Sequence, residues 1–107
     1  EDCRGKIVAV CDDSVVRGTQ AQTDLVPKLR QTGVREIHFR ISNPELRSYC
    51  PWGKTTKKGE LLADRIPAIE DRVKYLCVDG LKYNSLQDLA EAIGRPLESL
   101  CVDCDRD

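Results

Sequence analysis

Four apolar residues in a row, Ile7-Val8-Ala9-Val10, set the first pattern along the chain. The run is rich in β-branched residues and lacks polar alternation. That predicts a strand buried on both faces, as in a parallel sheet. From about Thr19 to Gln31 the period changes. Ala21, Leu25 and Leu29 recur at helical spacing and Val26 widens the stripe, which predicts an amphipathic helix. Gly33 is placed to end it. Glu36 to Ser42 then alternates, with Ile37, Phe39 and Ile41 to one side and His38 and Arg40 to the other. This predicts a second strand with one face less buried. Strand, helix and strand in succession make a βαβ crossover.

Beyond Asn43 the texture is different. Pro44, Pro51 and Gly53 interrupt regular structure as far as Thr56. Short helices are predicted over Lys57–Asp64, with Leu61, Leu62 and Ala63 inward, and over Ile66–Leu76, around Ile69, Val73 and Leu76. Ser85 is a good N-cap for a helix over Leu86–Ile93 that Gly94 ends. The segment Arg95–Leu100 reads as a connector before the closing "CVDCDRD". The expected fold class is α/β: a βαβ unit over residues 1–48, then a mainly helical segment with a cysteine cluster over 49–107, together a single incomplete domain. A length of 107 residues suits one domain or part of one.

Charge narrows the partners. Charged residues make up 33% of the chain and nearly cancel, at a net charge of -1. This argues against nucleic acid as a partner, because polyanion binding draws on clustered Lys and Arg. No apolar run nears the roughly 20 residues that span a bilayer, so no membrane partner is expected. The chain opens on charged residues rather than a signal peptide and has no Met, as a processed product or fragment would. The expected location is cytoplasmic. Six cysteines would suggest a disulfide framework in a secreted chain. Beside a cytosolic α/β unit they suggest reduced thiols, some of them metal ligands. Cys101 and Cys104 form a Cys-x-x-Cys pair that can turn two sulfurs toward one metal, although two do not complete a site.

The chemistry concentrates in "IVAVCDDSVVRGTQ". In open parallel sheets, ligands bind beyond the carboxyl ends of the strands. Asp12 and Asp13 stand at such an end. Two adjacent carboxylates are tolerated when hydroxyls or a cation share their charge, and a sugar diol with Mg²⁺ supplies both. The next residues suit a phosphate. Gly18 allows close backbone approach, the N–H groups of Val16 to Gln20 precede or open a helix, and Thr19 adds a hydroxyl. One loop could thus hold both ends of a ribose 5-phosphate. The plainer reading is a polar exit from a buried strand, with Thr19 as a helix cap.

The whole string resembles the phosphoribosylpyrophosphate (PRPP) motif of type I phosphoribosyltransferases, and "DDSVVRGT" resembles the amidophosphoribosyltransferase family in particular. "LRQTGVREIHFRISNP", "YCPWGKTTKKGELLA", "VDGLKYNSLQDLAEAIG" and "CVDC" are similar to later segments of that family, in the same order. The resemblance implies that Asp12 and Asp13 contact the ribose hydroxyls and organise Mg²⁺-PRPP as the catalytic carboxylates. It implies that Ser14, Val16, Arg17, Gly18, Thr19 and Gln20 wrap the 5-phosphate. Gln20 stands where the family usually has a second Thr. The implied reaction joins ammonia from glutamine to the anomeric carbon of PRPP, giving 5-phosphoribosylamine in the first step of purine synthesis. Catalysis there is mostly positioning and charge stabilisation. Purine nucleotides are the further ligands implied, a glutaminase domain and a homo-oligomer the implied partners. The family's glutaminase domain, its early sheet strands and two loops that close on PRPP have no counterpart in this sequence. The chain alone is therefore expected to be inactive. The competing functions are a non-catalytic PRPP- or nucleotide-sensing module and a metal-stabilised structural module.

By the same resemblance Cys50, Cys101 and Cys104 match three ligands of a [4Fe–4S] cluster in one branch of the family, the fourth lying upstream. Zinc is the main alternative for such a thiolate set. "DRD" follows Cys104 where an aromatic residue and a glycine are usual. Cys3 has no such match. Nor do Cys11 and Cys77, which read as small core residues. His38 is expected on the more polar strand face without a partner at a telling spacing. Trp52 is expected to anchor its loop by packing, and Lys54, Lys57 and Lys58 to form a solvated basic run.

Overall fold

The structure, a computed structural model, describes residues 2–52 and 57–105. Three parallel strands form one sheet in the order β1-β2-β3: β1 is Ile7–Asp12, β2 Glu36–Pro44 and β3 Gly80–Asn84. β2 is central. Ile7 pairs with Glu36 and Asp12 with Ile41 on one side, while Phe39 pairs with Leu81 and Ile41 with Tyr83 on the other. The β2–β3 pairing shifts between Ile41 and Pro44, where proline has no N–H to give the ladder.

The chain is helical from Thr19 to Gln31, as its apolar stripe predicts. The middle of this run, Ala21–Leu25, is a π-helical turn that passes into α1, Val26–Gln31. Pro27 explains the widened turn. Its ring would crowd the carbonyl four residues back and it cannot donate there. The Val26 N–H accordingly reaches the Ala21 carbonyl, five residues back. Val26 is buried against Ile37, Phe39, Ile41, Leu62, Leu76 and Leu81 in the single core, each large side chain worth about 1.5–3 kcal/mol on burial.

α2 (Leu62–Arg65), α3 (Ile69–Leu76) and α4 (Leu86–Ile93) complete the regular structure, with a 3₁₀ turn at Leu97–Ser99. α4 begins and ends as read from the sequence. The Ser85 hydroxyl accepts from the Asp88 N–H at 3.0 Å, and Gly94 closes the helix in the left-handed conformation. Arg72 on α3 is buried, at 2% exposure. It donates to the carbonyls of Ile66 (2.8 Å) and Pro67 (2.6 Å), pairs with Glu45 (2.5 Å), and lies over the Tyr83 ring. This hub joins the turn before α3 to the segment leaving β2. Burial beside it pushes the Tyr83 hydroxyl above its ordinary value.

Several expectations need correction. β1 is not buried on both faces. It is an edge strand, and Ile7, Ala9 and Cys11 on one side are exposed. Cys11 is therefore no core residue, nor is Cys77, which is exposed at the left-handed end of α3. The half read as mainly helical also contributes a strand, β3. The helix expected over Lys57–Asp64 is confined to α2, because Gly59 has a positive φ of 80° and Leu61 is extended. α3 starts three residues later than expected, after Pro67 and an extended Ala68. His38 does have a partner: its Nε2 lies 2.8 Å from Glu36 Oε2, two residues back on the same strand face. Trp52 is 68% exposed and donates its indole N–H to Asp103 at 3.3 Å rather than packing under a loop. Glu1, Gly53, Lys54, Thr55, Thr56, Arg106 and Asp107 lie outside the described residues.

Candidate functional site

β1 delivers the acidic pair to the carboxyl end of the sheet. Asp12 is its last residue and Asp13 the first beyond. The two are held as a tight turn: the Asp13 N–H donates to Asp12 Oδ1 at 2.8 Å, and the Ser14 hydroxyl reaches Asp13 Oδ1 at 3.4 Å. The chain then loops through Val15–Gly18 into the helix. Ser14, Val16, Arg17, Gly18, Thr19 and Gln20 line one open recess of about 820 Å³ with Asp12, and Phe39 of β2 forms part of its wall. Asp13 does not line that recess. It faces a neighbouring one of about 580 Å³ with Cys11, Arg40 and Ser42, and Asp12 borders both. The sequence-predicted loop residues are thus brought together, while the two carboxylates are divided between adjoining spaces.

The loop has a backing that the sequence did not suggest. Leu62 N–H donates to the Val16 carbonyl at 2.7 Å, and Arg65 Nη2 donates to the Arg17 carbonyl at 2.6 Å. The Arg17 guanidinium pairs with Glu60 Oε2 at 2.9 Å, and the same oxygen accepts the Lys57 N–H at 3.1 Å. The bond from Arg17, then that from Lys57, holds the Glu60 carboxyl below its usual range. Gly18 has a positive φ of 74°, and a Cβ there would meet Leu62 Cδ2 at 3.0 Å. The positive φ favours glycine at this point, and any side chain there would also have to displace Leu62 by a few tenths of an ångström. Residues 43 to 48 positions apart in the chain make these contacts, so no local pattern announces them.

This arrangement can share a cation between carboxylate and ligand and present backbone donors to an anion. Among the described residues no group of three or more His, Cys, Asp or Glu side chains is arranged to hold a metal ion. That does not disfavour Mg²⁺ at Asp12 and Asp13, since Mg²⁺ is commonly held by one or two carboxylates with substrate phosphates completing its shell.

No protein-family model matches the chain. Curated proteins do. It is 41% identical over 102 residues to the amidophosphoribosyltransferase of Methanocaldococcus jannaschii and 35% identical over 101 residues to that of Bacillus subtilis, each match covering 94% of this chain and 21% of the relative. The chain is a relative of the amidophosphoribosyltransferases and matches their C-terminal part. Two solved structures agree. The glutamine PRPP amidotransferase of B. subtilis, complexed with ADP and GMP, superposes with a TM-score of 0.76 at 35% identity over 87% of this chain and 20% of its own. The structure of an allosteric regulatory enzyme of purine biosynthesis superposes with a TM-score of 0.80 at 30% identity over 94% of this chain and 22% of its own. The chain spans about a fifth of the length of these proteins.

The cysteine tail is a second place where the residues singled out in the sequence come together. The tail lies against the segment after β2: Arg47 and Ser48 N–H groups both donate to the Cys104 carbonyl at 3.0 Å, and the Ser48 hydroxyl donates to the Asp103 carbonyl. Burial pushes the Cys104 thiol up, and the nearby Cys50 and Cys101 add to the shift. The three thiols thus share a neighbourhood. Among the described residues these thiols are neighbours without forming a group of three donors placed on one metal ion. No helix among the described residues is long and apolar enough to cross a membrane.

Proposed function

We propose that the chain provides the ribose-phosphate side of a PRPP site within an amidophosphoribosyltransferase, the enzyme that makes 5-phosphoribosylamine from PRPP and glutamine. The observation that carries this is the single recess in which Asp12 meets the loop Ser14–Gln20. In this reading the loop's backbone donors and the Thr19 hydroxyl take the 5-phosphate. Asp12 approaches the ribose hydroxyls from the strand end. Asp13 faces the adjoining recess, and it and Asp12 are the residues that would hold Mg²⁺. Mg²⁺, when bound, supplies charge neutralisation for the departing pyrophosphate. The carboxylates favour positive charge developing on the ribose ring. Turnover is proposed for the longer protein with its glutaminase domain, and ligand binding for the described residues. Homo-oligomerisation and cytoplasmic location belong to the same proposal. The B. subtilis relative's complex with ADP and GMP supports purine nucleotides as further ligands of the longer protein. Cys50, Cys101 and Cys104 are proposed as thiol donors to an iron–sulfur or zinc site. Iron, zinc and sulfide analysis of anaerobically prepared protein tests this.

The deciding experiment is calorimetric titration of Mg²⁺-PRPP into the chain and into an Asp12→Asn/Asp13→Asn variant. Saturable binding by the wild type that falls at least about tenfold in the variant is expected, since hydrogen bonds to charged groups are worth about 1.5–3 kcal/mol each. A folded wild type that shows no binding refutes the proposal.

A further inference from the structure

Two carbonyls of the loop have partners behind it. The Val16 carbonyl is taken by the Leu62 N–H and the Arg17 carbonyl by the Arg65 guanidinium. Neither Leu62 nor Arg65 lines the recess, so both carbonyls point away from it. In a planar trans peptide the C=O and the next N–H point in opposite directions. Pinning the Val16 carbonyl outward therefore turns the Arg17 N–H inward, and pinning the Arg17 carbonyl turns the Gly18 N–H inward. Among the described residues neither N–H has an internal acceptor. The Leu62 contribution is backbone and indifferent to side-chain chemistry. The Arg65 contribution is a side chain, permanently charged, at the short distance of a charge-assisted bond. Its guanidinium is steadied over the Tyr75 ring, 5.8 Å from the centroid.

We propose that Arg65 is the positioning residue of the phosphate loop, acting through the Arg17 carbonyl to aim the Gly18 N–H at the anion. Arg65 is exposed and outside the core, so its role is not general packing. This inference rests on the ribose-phosphate reading of the same recess.

Inorganic phosphate is the probe, titrated into the isotope-labelled full chain with the Gly18 and Arg17 amides followed by NMR. In the wild type both amide protons move downfield saturably. In Arg65→Met the affinity falls about tenfold, as for loss of a hydrogen bond from a charged group, and the Gly18 displacement at saturation shrinks. Arg65→Lys, which keeps the charge and one donor, recovers part of both. A folded Arg65→Met with wild-type affinity and an unchanged Gly18 displacement overturns the inference. So does weaker binding with the full Gly18 displacement, because that would show charge attraction without positioning. Should Arg65→Met not fold, Arg65→Gln is judged by the same two readouts. A wild type with no phosphate response removes the ribose-phosphate reading and this inference together. Failure in the variants alone removes only the inference.

Discussion

The two faces of the sheet are built to different rules. On one, Val8 and Val10 of β1, Ile37, Phe39 and Ile41 of β2, and Leu81 of β3 lie under α1 and α3, buried or nearly so. On the other stand Ile7, Ala9 and Cys11, then Glu36, His38 and Arg40, then Gly80 and Lys82. β2 and β3 meet solvent on that second face with charged or paired groups, such as His38 on Glu36. β1 meets it with apolar ones. Parallel sheets are normally covered on both sides. The contrast teaches that β2 is finished as it stands, whereas β1 carries a face written for a cover that the described residues do not supply.

The largest effect should come from the covered face. Phe39→Ala removes a side chain only 1% exposed at the centre of the sheet. A loss of about 3–5 kcal/mol is expected from lost burial and the cavity left. That is comparable to the whole stability of a small domain, so circular dichroism should show an unfolded chain or a sharply lowered denaturation midpoint. A folded protein with an unchanged midpoint would mean that the core lies elsewhere.

Next is the polar hub under the same face. Arg72→Met removes two carbonyl contacts and leaves Glu45 without its buried partner. The cost should be about 2–3 kcal/mol, below the range for fully buried pairs because Glu45 is partly exposed. A combined Arg72→Met/Glu45→Gln variant should recover part of it. If the double variant is as unstable as the sum of the single ones, the two side chains are not coupled.

How much of this was legible depended on distance along the chain. The helix over Thr19–Gln31, β2 and α4 could be read because period, cap and stop signal lie within a dozen residues of one another. Ser85 and Gly94 mark both ends of α4. β3 could not. "GLKYN" is short and half polar, and it becomes a strand by pairing with β2, some forty positions earlier. The same reason hid the clasp of Glu60, Leu62 and Arg65 behind the phosphate loop. The loop itself was legible because strand end, acidic pair and Gly-Thr are contiguous. The π-helical turn could have been inferred from Pro27, and the Glu36–His38 pair from their two-residue spacing on one strand face. β1 was misread for an instructive cause. Its composition does specify burial on both faces, and the described residues cover only one.

A smaller effect tests the seam between helix and sheet. Asp79 accepts from the Ile37 N–H at 2.8 Å and pairs with Arg30 at 2.9 Å, and these hold its carboxyl below the usual range, the backbone bond most. A depressed folded-state pKa gives stability that is present above the unfolded value near 3.8 and is lost as pH falls through the folded value. Asp79→Asn should therefore flatten the acid limb of the stability curve between about pH 4 and pH 2. At neutral pH it should cost no more than about 1 kcal/mol, because water screens a pair this exposed. An acid limb as steep in the variant as in the wild type would assign the pH dependence to other carboxylates.

The smallest effect belongs to the bare face and is the most informative about it. Ile7 is 52% exposed on β1 and Thr keeps its branched Cβ, so Ile7→Thr preserves strand propensity while removing apolar surface. As an exposed substitution it should change stability by no more than about 0.5 kcal/mol in dilute solution. A loss several times larger would contradict an uncovered face. It would mean that Ile7, with Ala9 and Cys11, is buried by something in solution. Repeating the denaturation over a hundredfold range of protein concentration then separates the causes. If the cover is a second copy of the chain, the wild-type midpoint rises with concentration and that of Ile7→Thr rises less, by mass action on the associated state. If neither midpoint moves, the cover comes from within the same chain, and the division between a finished β2 and an unfinished β1 would have to be withdrawn.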